Sequence, residues 1–298
     1  IYVPANQAVI HQYAREALTA CGNMILGSDS HTRYGSLGNM GVGEGGGELV
    51  KQLLRNTWDI NAPEVVLVWL EGKPRHGVGP HDVAISLVKA TFESGFVKNK
   101  VLEFAGPGVK DLPIDFRNGI DVMTTETTCL SSIWVTDEKV KEYFDIHERP
   151  EAYKKLEPGK VAYYDSMIRI DLSTQECMIA LPFHPSNAYT IHELQADPEG
   201  ILKKVEEDTR KRFGDKVQVD LVSKIKDGKV VADQALIAGC SGGTYDNLSE
   251  AATILKGKNI GNDYFTMSCY PQSTPVYLAT TRNHIAEELL EAGVVIKP

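Results

Sequence analysis

The chain has 298 residues, 42% hydrophobic and 24% charged, the proportions of a globular protein with ample core for one large or two ordinary domains. Thirty-one Lys and Arg against forty Asp and Glu leave a net charge of −9, which counts against a nucleic-acid groove or an anionic membrane surface. No run approaches the ~20 apolar residues that span a bilayer. Ile1-Tyr2-Val3-Pro4 lacks the charged and apolar regions of a signal peptide, and five scattered Cys without a C-x-x-C pair argue against a disulfide framework, so the cytoplasm is the expected compartment.

Taken in chain order, residues 6–20 have helical spacing, and the apolar run 23–26 reads as a short strand ending in the polar turn Gly27-Ser28-Asp29. A helix is expected over residues 44–56, after a Gly-rich loop, and a strand over the β-branched run 64–70. Pro80-His81-Asp82 looks like a helix start, residues 101–104 a strand, and 111–130 helical for much of its length. Residues 137–147 and 150–156 are expected as charged surface helices, and the period-two run 167–172 as a half-buried strand. The chain turns stiff and extended near Leu181-Pro182-Phe183-His184-Pro185, where a domain boundary is placed. Beyond it a charged helix (201–213), a strand (234–238) running into Gly239-Cys240-Ser241-Gly242-Gly243, a helix near Tyr245, a strand-like run (264–267) and a helix (286–291) follow. Strands alternating with helices give an α/β class in two or more units.

Four segments could carry chemistry. Gly27-Ser28-Asp29-Ser30-His31-Thr32 packs carboxylate, hydroxyls and imidazole into a turn at the end of a strand, where open α/β sheets bind ligands. It reads equally as a turn in which Asp and Ser bond their own backbone. The glycines between Gly35 and Gly47 could cradle a phosphate at a helix N-terminus. They fit neither the dinucleotide fingerprint nor a P-loop, Glu44 and Glu48 would repel an anion, and close helix–backbone packing is the better reading. Cys240, between glycines at a strand-to-loop junction, has no adjacent base for a nucleophile and no local thiolates for a cluster; a buried inert Cys is the usual alternative. Glu126 is an acid in an otherwise uncharged stretch, hence paired or functional. His11 alone reads as a satisfied core histidine, and His76 and His81 as solvated.

Together these pieces resemble the aconitase superfamily of iron–sulfur hydro-lyases. Gly27 through Thr32 resembles the family's G-[ST]-D-S-H-T box, and the stretch from Gly38 to Gly47 its Gly-rich loop. His11-Gln12, eighteen residues ahead of Asp29, matches the family's His-Gln spacing. Gly106-Pro107-Gly108-Val109 resembles the G-P-G-V turn, Glu126 through Trp134 lies where the family has E-I-G-A-T-T-S-V-F, and Ala238 through Asp246 resembles G-S-C-T-N-S-S-Y-E. The motifs recur in order from residue 11 to about 275.

The resemblance implies α/β/α layered domains with mainly parallel sheets, divided here as 1–62 (the end of a first domain), 63–185 (a second) and 186–298 (part of a third). It implies loss or addition of water on a small hydroxy-carboxylic acid, assisted by a [4Fe–4S] cluster whose open iron acts as Lewis acid. His11, Asp29, His31 and Glu126 would be catalytic, Ser30 and His31 would face the substrate, and Cys240 would be a cluster thiolate. Departures accompany it. The family's C-x-x-C after the Pro-x-Ser segment (here Pro271-Gln272-Ser273) is absent, Cys269 lies elsewhere, and Cys129, Arg33-Tyr34 and Ser241-Gly242-Gly243 differ from the usual residues. The chain therefore reads as an internal piece of a longer hydratase, inactive and without a stable cluster by itself, with the remaining domains of the parent as partners. The alternatives are a cluster-free binding or regulatory protein on this scaffold, RNA-binding included, and a cofactor-free enzyme using Asp29 and His31 directly.

Overall fold

The computed structural model describes residues 2–261 and 264–297. Ile10–Ala17 forms helix α1; Met24–Gly27 (β1) pairs in parallel with Met40–Gly43 (β2), and Gly46–Leu53 is helix α2. The middle of the chain alternates Val65–Glu71 (β3), Pro80–Thr91 (α3), Val101–Ala105 (β4), Ile114–Met123 (α4), Ser131–Trp134 (β5), Glu138–Ile146 (α5) and Ser166–Asp171 (β6). The strands make a parallel sheet in the order β5-β4-β3-β6. A hairpin follows, Met178–Ala180 (β7) against Ala188–Thr190 (β8), then Ile191–Ala196 (α6) and Pro198–Phe213 (α7). Ile225–Lys226 (β9) and Lys229–Val230 (β10) form a second hairpin. The last part runs Gln234–Ile237 (β11), Gly239–Gly242 (α8), Tyr245–Leu255 (α9), Thr266–Cys269 (β12), Thr274–Arg282 (α10), Ile285–Glu291 (α11) and Val295–Ile296 (β13), with β11, β12 and β13 parallel. The chain is thus α/β with mainly parallel sheets.

Burial explains the central sheet. Val66, Val68 and Leu70 alternate along β3, each fully buried, and pack with Val83 and Leu87 of α3, Leu102 and Phe104 of β4 and Ile120 of α4. Burying each such side chain contributes roughly 1.5–3 kcal/mol. Trp134 stacks on Phe104 at 4.2 Å. Its indole N–H and the Ser132 hydroxyl both donate to Asp121, which also accepts the Ser36 amide, so α4, β5 and the turn after β1 are cross-linked. Fully buried Arg117 makes a two-pronged bond to Asp137, whose carboxylate also caps α5.

Several expected elements are shorter, and each for a local reason. Helix α1 begins only at Ile10 because the preceding segment is paired elsewhere: Val9 donates to the Gln272 carbonyl, and Thr274 donates to that of Gln7. The helix expected over 44–56 contracts to α2, with Gly45 in the left-handed region at its start and Arg55 in that region just past its end. The expected helix at 111–130 is broken into α4 and flanking 3₁₀ turns, since Thr124 and Thr127 turn their hydroxyls onto nearby carbonyls. Residues 150–156 hold one 3₁₀ turn, then an extended strap bonded to Thr136. The strand expected at 264–267 lies at Thr266–Cys269. β5, too short and serine-rich to stand out, and α10 were not expected.

Candidate active site

The site grows from the turn after β1. The Asp29 side chain accepts the backbone N–H of His31, and Thr32 bonds the Asp29 carbonyl through both its amide and its hydroxyl. The turn is therefore self-bonded, and that same bonding aims its side chains. β2 lies so close behind it that a Cβ on Gly43 would run into the Asp29 carbonyl, and one on Gly41 into the Thr32 backbone. The close packing expected of a helix belongs instead to this strand; a Cβ on Gly45, Gly46 or Gly47 would meet open space.

His11 is not merely a satisfied core residue. Its Nε2 lies 2.9 Å from Asp29 Oδ1 and its Nδ1 3.1 Å from the Tyr34 hydroxyl, with 6% of the residue exposed. Burial holds the His11 pKa below its ordinary value, although Asp29 pulls the other way. Burial pushes Asp29 upward in turn, but the His31 amide and the His11 ring together bring its carboxyl below the usual range. Burial raises the Tyr34 hydroxyl to about 12, so it stays a hydroxyl that can donate to His11 Nδ1.

A second pair stands beside the first. His31 Nε2 is 3.2 Å from Glu126 Oε1, across 95 residues, while His31 Nδ1 lies 3.3 Å from the exposed Ser30 hydroxyl. The bond to Glu126 raises the His31 pKa, and the same bond lowers that of Glu126. Thr125 ties the two segments through a 2.7 Å bond to the Ser30 carbonyl. A third ring approaches from the β7–β8 turn: His184 Nε2 is 3.8 Å from Glu126 Oε2. Two imidazole–carboxylate pairs at one turn can hold a proton on one ring while keeping the other neutral.

Cys240 lies at the start of α8, within electrostatic reach of Asp29, Tyr34 and Arg15. Burial raises its thiol pKa, with Arg15 opposing. Arg15 is fully buried; its Nη1 donates to the Cys240 carbonyl at 2.8 Å, while its Nε and Nη2 have no partner among the described residues. His81, expected to be solvated, instead sits 3.0 Å from Ser241 Oγ on the same turn, and burial lowers its pKa. Cys21, Cys129 and Cys269 are buried, and Cys177 is exposed. Among the described residues no group of three His, Cys, Asp or Glu side chains is placed to hold a metal ion. The described residues therefore do not by themselves fit an iron–sulfur cluster, which needs further thiolates beside Cys240.

Sequence reasoning missed Tyr34, Arg15 and His184. Tyr34 follows the Asp-Ser-His-Thr box directly, and His184 stood within the stiff proline segment, but nothing local linked either to chemistry. Arg15 lies one helical turn past His11 and showed no such signal at all.

Parallel α/β layers that bring two imidazole–carboxylate pairs to a strand end, within electrostatic reach of a glycine-flanked thiol, define the class of the chain. The chain belongs to the aconitase family: the family model "Aconitase family (aconitate hydratase)" matches residues 1–298. It is 28% identical over 282 residues to the 3-isopropylmalate dehydratase large subunit of Clostridium kluyveri, covering 94% of this chain and 59% of that protein. It is 27% identical over 293 residues to the large subunit of Elusimicrobium minutum, covering 98% and 62%. With large subunit 1 of Thermotoga maritima the figures are 25% over 296 residues, 99% and 63%. The chain thus spans about three-fifths of the length of these relatives. Among the described residues no helix is long and apolar enough to cross a membrane.

Proposed function

We propose that the whole protein is a hydro-lyase adding or removing water on a small hydroxy-carboxylic acid, and that this chain supplies its proton-handling half. The observation that carries this is the pairing of His31 with Glu126 at 3.2 Å beside that of His11 with Asp29 at 2.9 Å. Dehydration requires a base for the proton next to a carboxylate and an acid for the departing hydroxyl. His31, whose charged form the bond to Glu126 favours, is the candidate acid and a cation for a substrate carboxylate, with the Ser30 hydroxyl beside it. His11 is kept neutral by burial and oriented by Asp29, as a base or its support must be.

The [4Fe–4S] cluster that family membership suggests belongs, in this proposal, to the whole protein, with Cys240 one donor. The isolated chain is inactive. Its partner is the complementary polypeptide, either further domains of the same protein or a separate subunit such as the relatives' name "large subunit" suggests. The units 1–62, 63–185 and 186–298 are part of the proposal, and each carries a parallel sheet. Cytoplasmic residence, in keeping with five free thiols, completes it.

The test is an assay of the full-length protein against a panel of hydroxy acids, following ultraviolet absorbance of the unsaturated product. Turnover that is lost in His31→Gln and Cys240→Ser supports the proposal. Turnover that survives Cys240→Ser but not Asp29→Asn would point to cofactor-free chemistry, and salt-sensitive RNA binding with no turnover to a binding protein.

A further inference from the structure

We propose that His184 is the positioning residue for Glu126: its Nε2–H faces the outer carboxylate oxygen and so keeps the other oxygen on His31. The proposal rests on reading His31 and Glu126 as a proton-handling pair. Glu126 sits on the 3₁₀ turn Thr124–Thr127, its side chain 26% exposed. Its two oxygens meet two different rings, Oε1 that of His31 at 3.2 Å and Oε2 that of His184 at 3.8 Å.

The tautomer of His184 follows from its other nitrogen. Nδ1 accepts the backbone N–H of Ser186 at 3.1 Å, and the Ser186 hydroxyl lies 3.0 Å from it. A nitrogen that accepts carries no proton, so the neutral ring is protonated on Nε2, the atom turned toward Glu126. The ring plane is fixed as well. His184 stacks on Phe92, at the end of α3, with centroids 3.8 Å apart and planes inclined by 26°. Bonds from Asn187 to the His184 and Pro182 carbonyls close the loop that carries it. A separation of 3.8 Å is longer than a hydrogen bond; such contacts commonly tighten only when a site is filled.

His31 and His184 face Glu126, and Asp29 and Arg33 act on His31. A donor on Oε2 favours the ionised carboxylate, so removing it moves the Glu126 titration upward.

The experiment is a carbon-13 NMR titration of Glu126 in the full-length protein, its signal assigned by loss in Glu126→Gln, with nitrogen-15 shifts reporting the His184 tautomer. Two variants separate positioning from packing. His184→Phe keeps the stack on Phe92 and loses the N–H; His184→Gln loses the stack and keeps an N–H donor. The expected result is an Nε2–H tautomer in the wild type, an upward shift of the Glu126 midpoint in His184→Phe, and a midpoint near wild type in His184→Gln. An Nδ1–H tautomer, or an unmoved midpoint in His184→Phe, overturns the proposal. If either variant fails to fold, the wild-type tautomer alone decides. Absence of turnover on hydroxy acids would sink the hydro-lyase reading without touching these midpoints, so the two failures are read separately.

Discussion

Asp29 Oδ1 accepts two bonds at once, from His11 Nε2 at 2.9 Å and from the backbone N–H of His31 at 2.8 Å. One carboxylate oxygen thus orients the buried imidazole of His11 and shapes the turn that presents the half-buried one of His31. Replacing Asp29 by Asn keeps an oxygen there but removes its charge. The His11 pKa then falls further, because Asp29 is what opposes burial. Turnover by the full-length protein is expected to drop on the order of 10²–10⁴-fold, the range of a lost acid–base group. Histidine NMR and kcat/KM check the two halves; an unchanged kcat/KM would remove Asp29 from the machinery.

The His31–Glu126 pair gives stability a definite pH window. Glu126 titrates below its ordinary 4.5 in the fold, so its contribution is complete above 4.5 and is lost as pH falls through the lowered value. His31 titrates above its ordinary 6.5, so its contribution is complete below 6.5 and is lost as pH rises through the raised value. The urea midpoint of the wild type should therefore exceed that of Glu126→Gln most between those two pH values. Both side chains are partly exposed, so the difference stays within about 1 kcal/mol. A difference that grows steadily toward alkaline pH would contradict this assignment.

The glycines of residues 41–47 are not equivalent. Gly43→Ala forces β2 away from the Asp29 carbonyl and is expected to destabilise by roughly 1–3 kcal/mol while loosening the His11–Asp29 bond. Gly46→Ala and Gly47→Ala meet open space inside α2 and should each stabilise by about 0.5–1 kcal/mol. Chemical denaturation of the three variants decides, and equal effects would refute the distinction.

Asp137→Ala leaves the Arg117 guanidinium buried without its counter-charge and removes the cap of α5. A loss of about 3–5 kcal/mol is expected. Arg169→Ala, which breaks an exposed pair with Glu71, should change stability by no more than about 1 kcal/mol. Denaturant unfolding of both variants gives the comparison.

Iron–sulfur reconstitution of this chain alone is expected to give no stable cubane, since Cys240 belongs to no group of three metal-binding side chains among the described residues. Iron and sulfide content after desalting, with the visible spectrum, reports it. A stoichiometric cluster that depends on Cys240 would defeat the expectation.

Much of the fold was legible because local pattern and tertiary burial agree. The β-branched run at β3 alternates in the fold as it does in the sequence, and α3 starts at Pro80, where its proline signal lies. Agreement failed where distant partners decide. Residues 7–9 are helical by spacing but are claimed by the loop at 272–274, and 153–156 by Thr136. In the site, the turn residues could be read from their own hexapeptide, Glu126 from its uncharged surroundings, and His11 only through the resemblance to the family's His-Gln spacing. His184 and Arg15 could not, since the contacts that give them meaning cross 58 and 225 residues, from Glu126 and to Cys240.

The stitching of residues 7–15 to residues 240–274 also sets an order of events. The bonds from Val9 to Gln272, from Thr274 to Gln7 and from Arg15 to Cys240 join α1 and the segment before it to residues synthesised more than 200 positions later. Contacts of such separation form slowly, after nearer ones. On the ribosome the β5-β4-β3-β6 sheet can settle while α1 still waits, its buried arginine and histidine in water. The anchoring of α1 beside Cys240 therefore waits until residues 240–274 have left the ribosome.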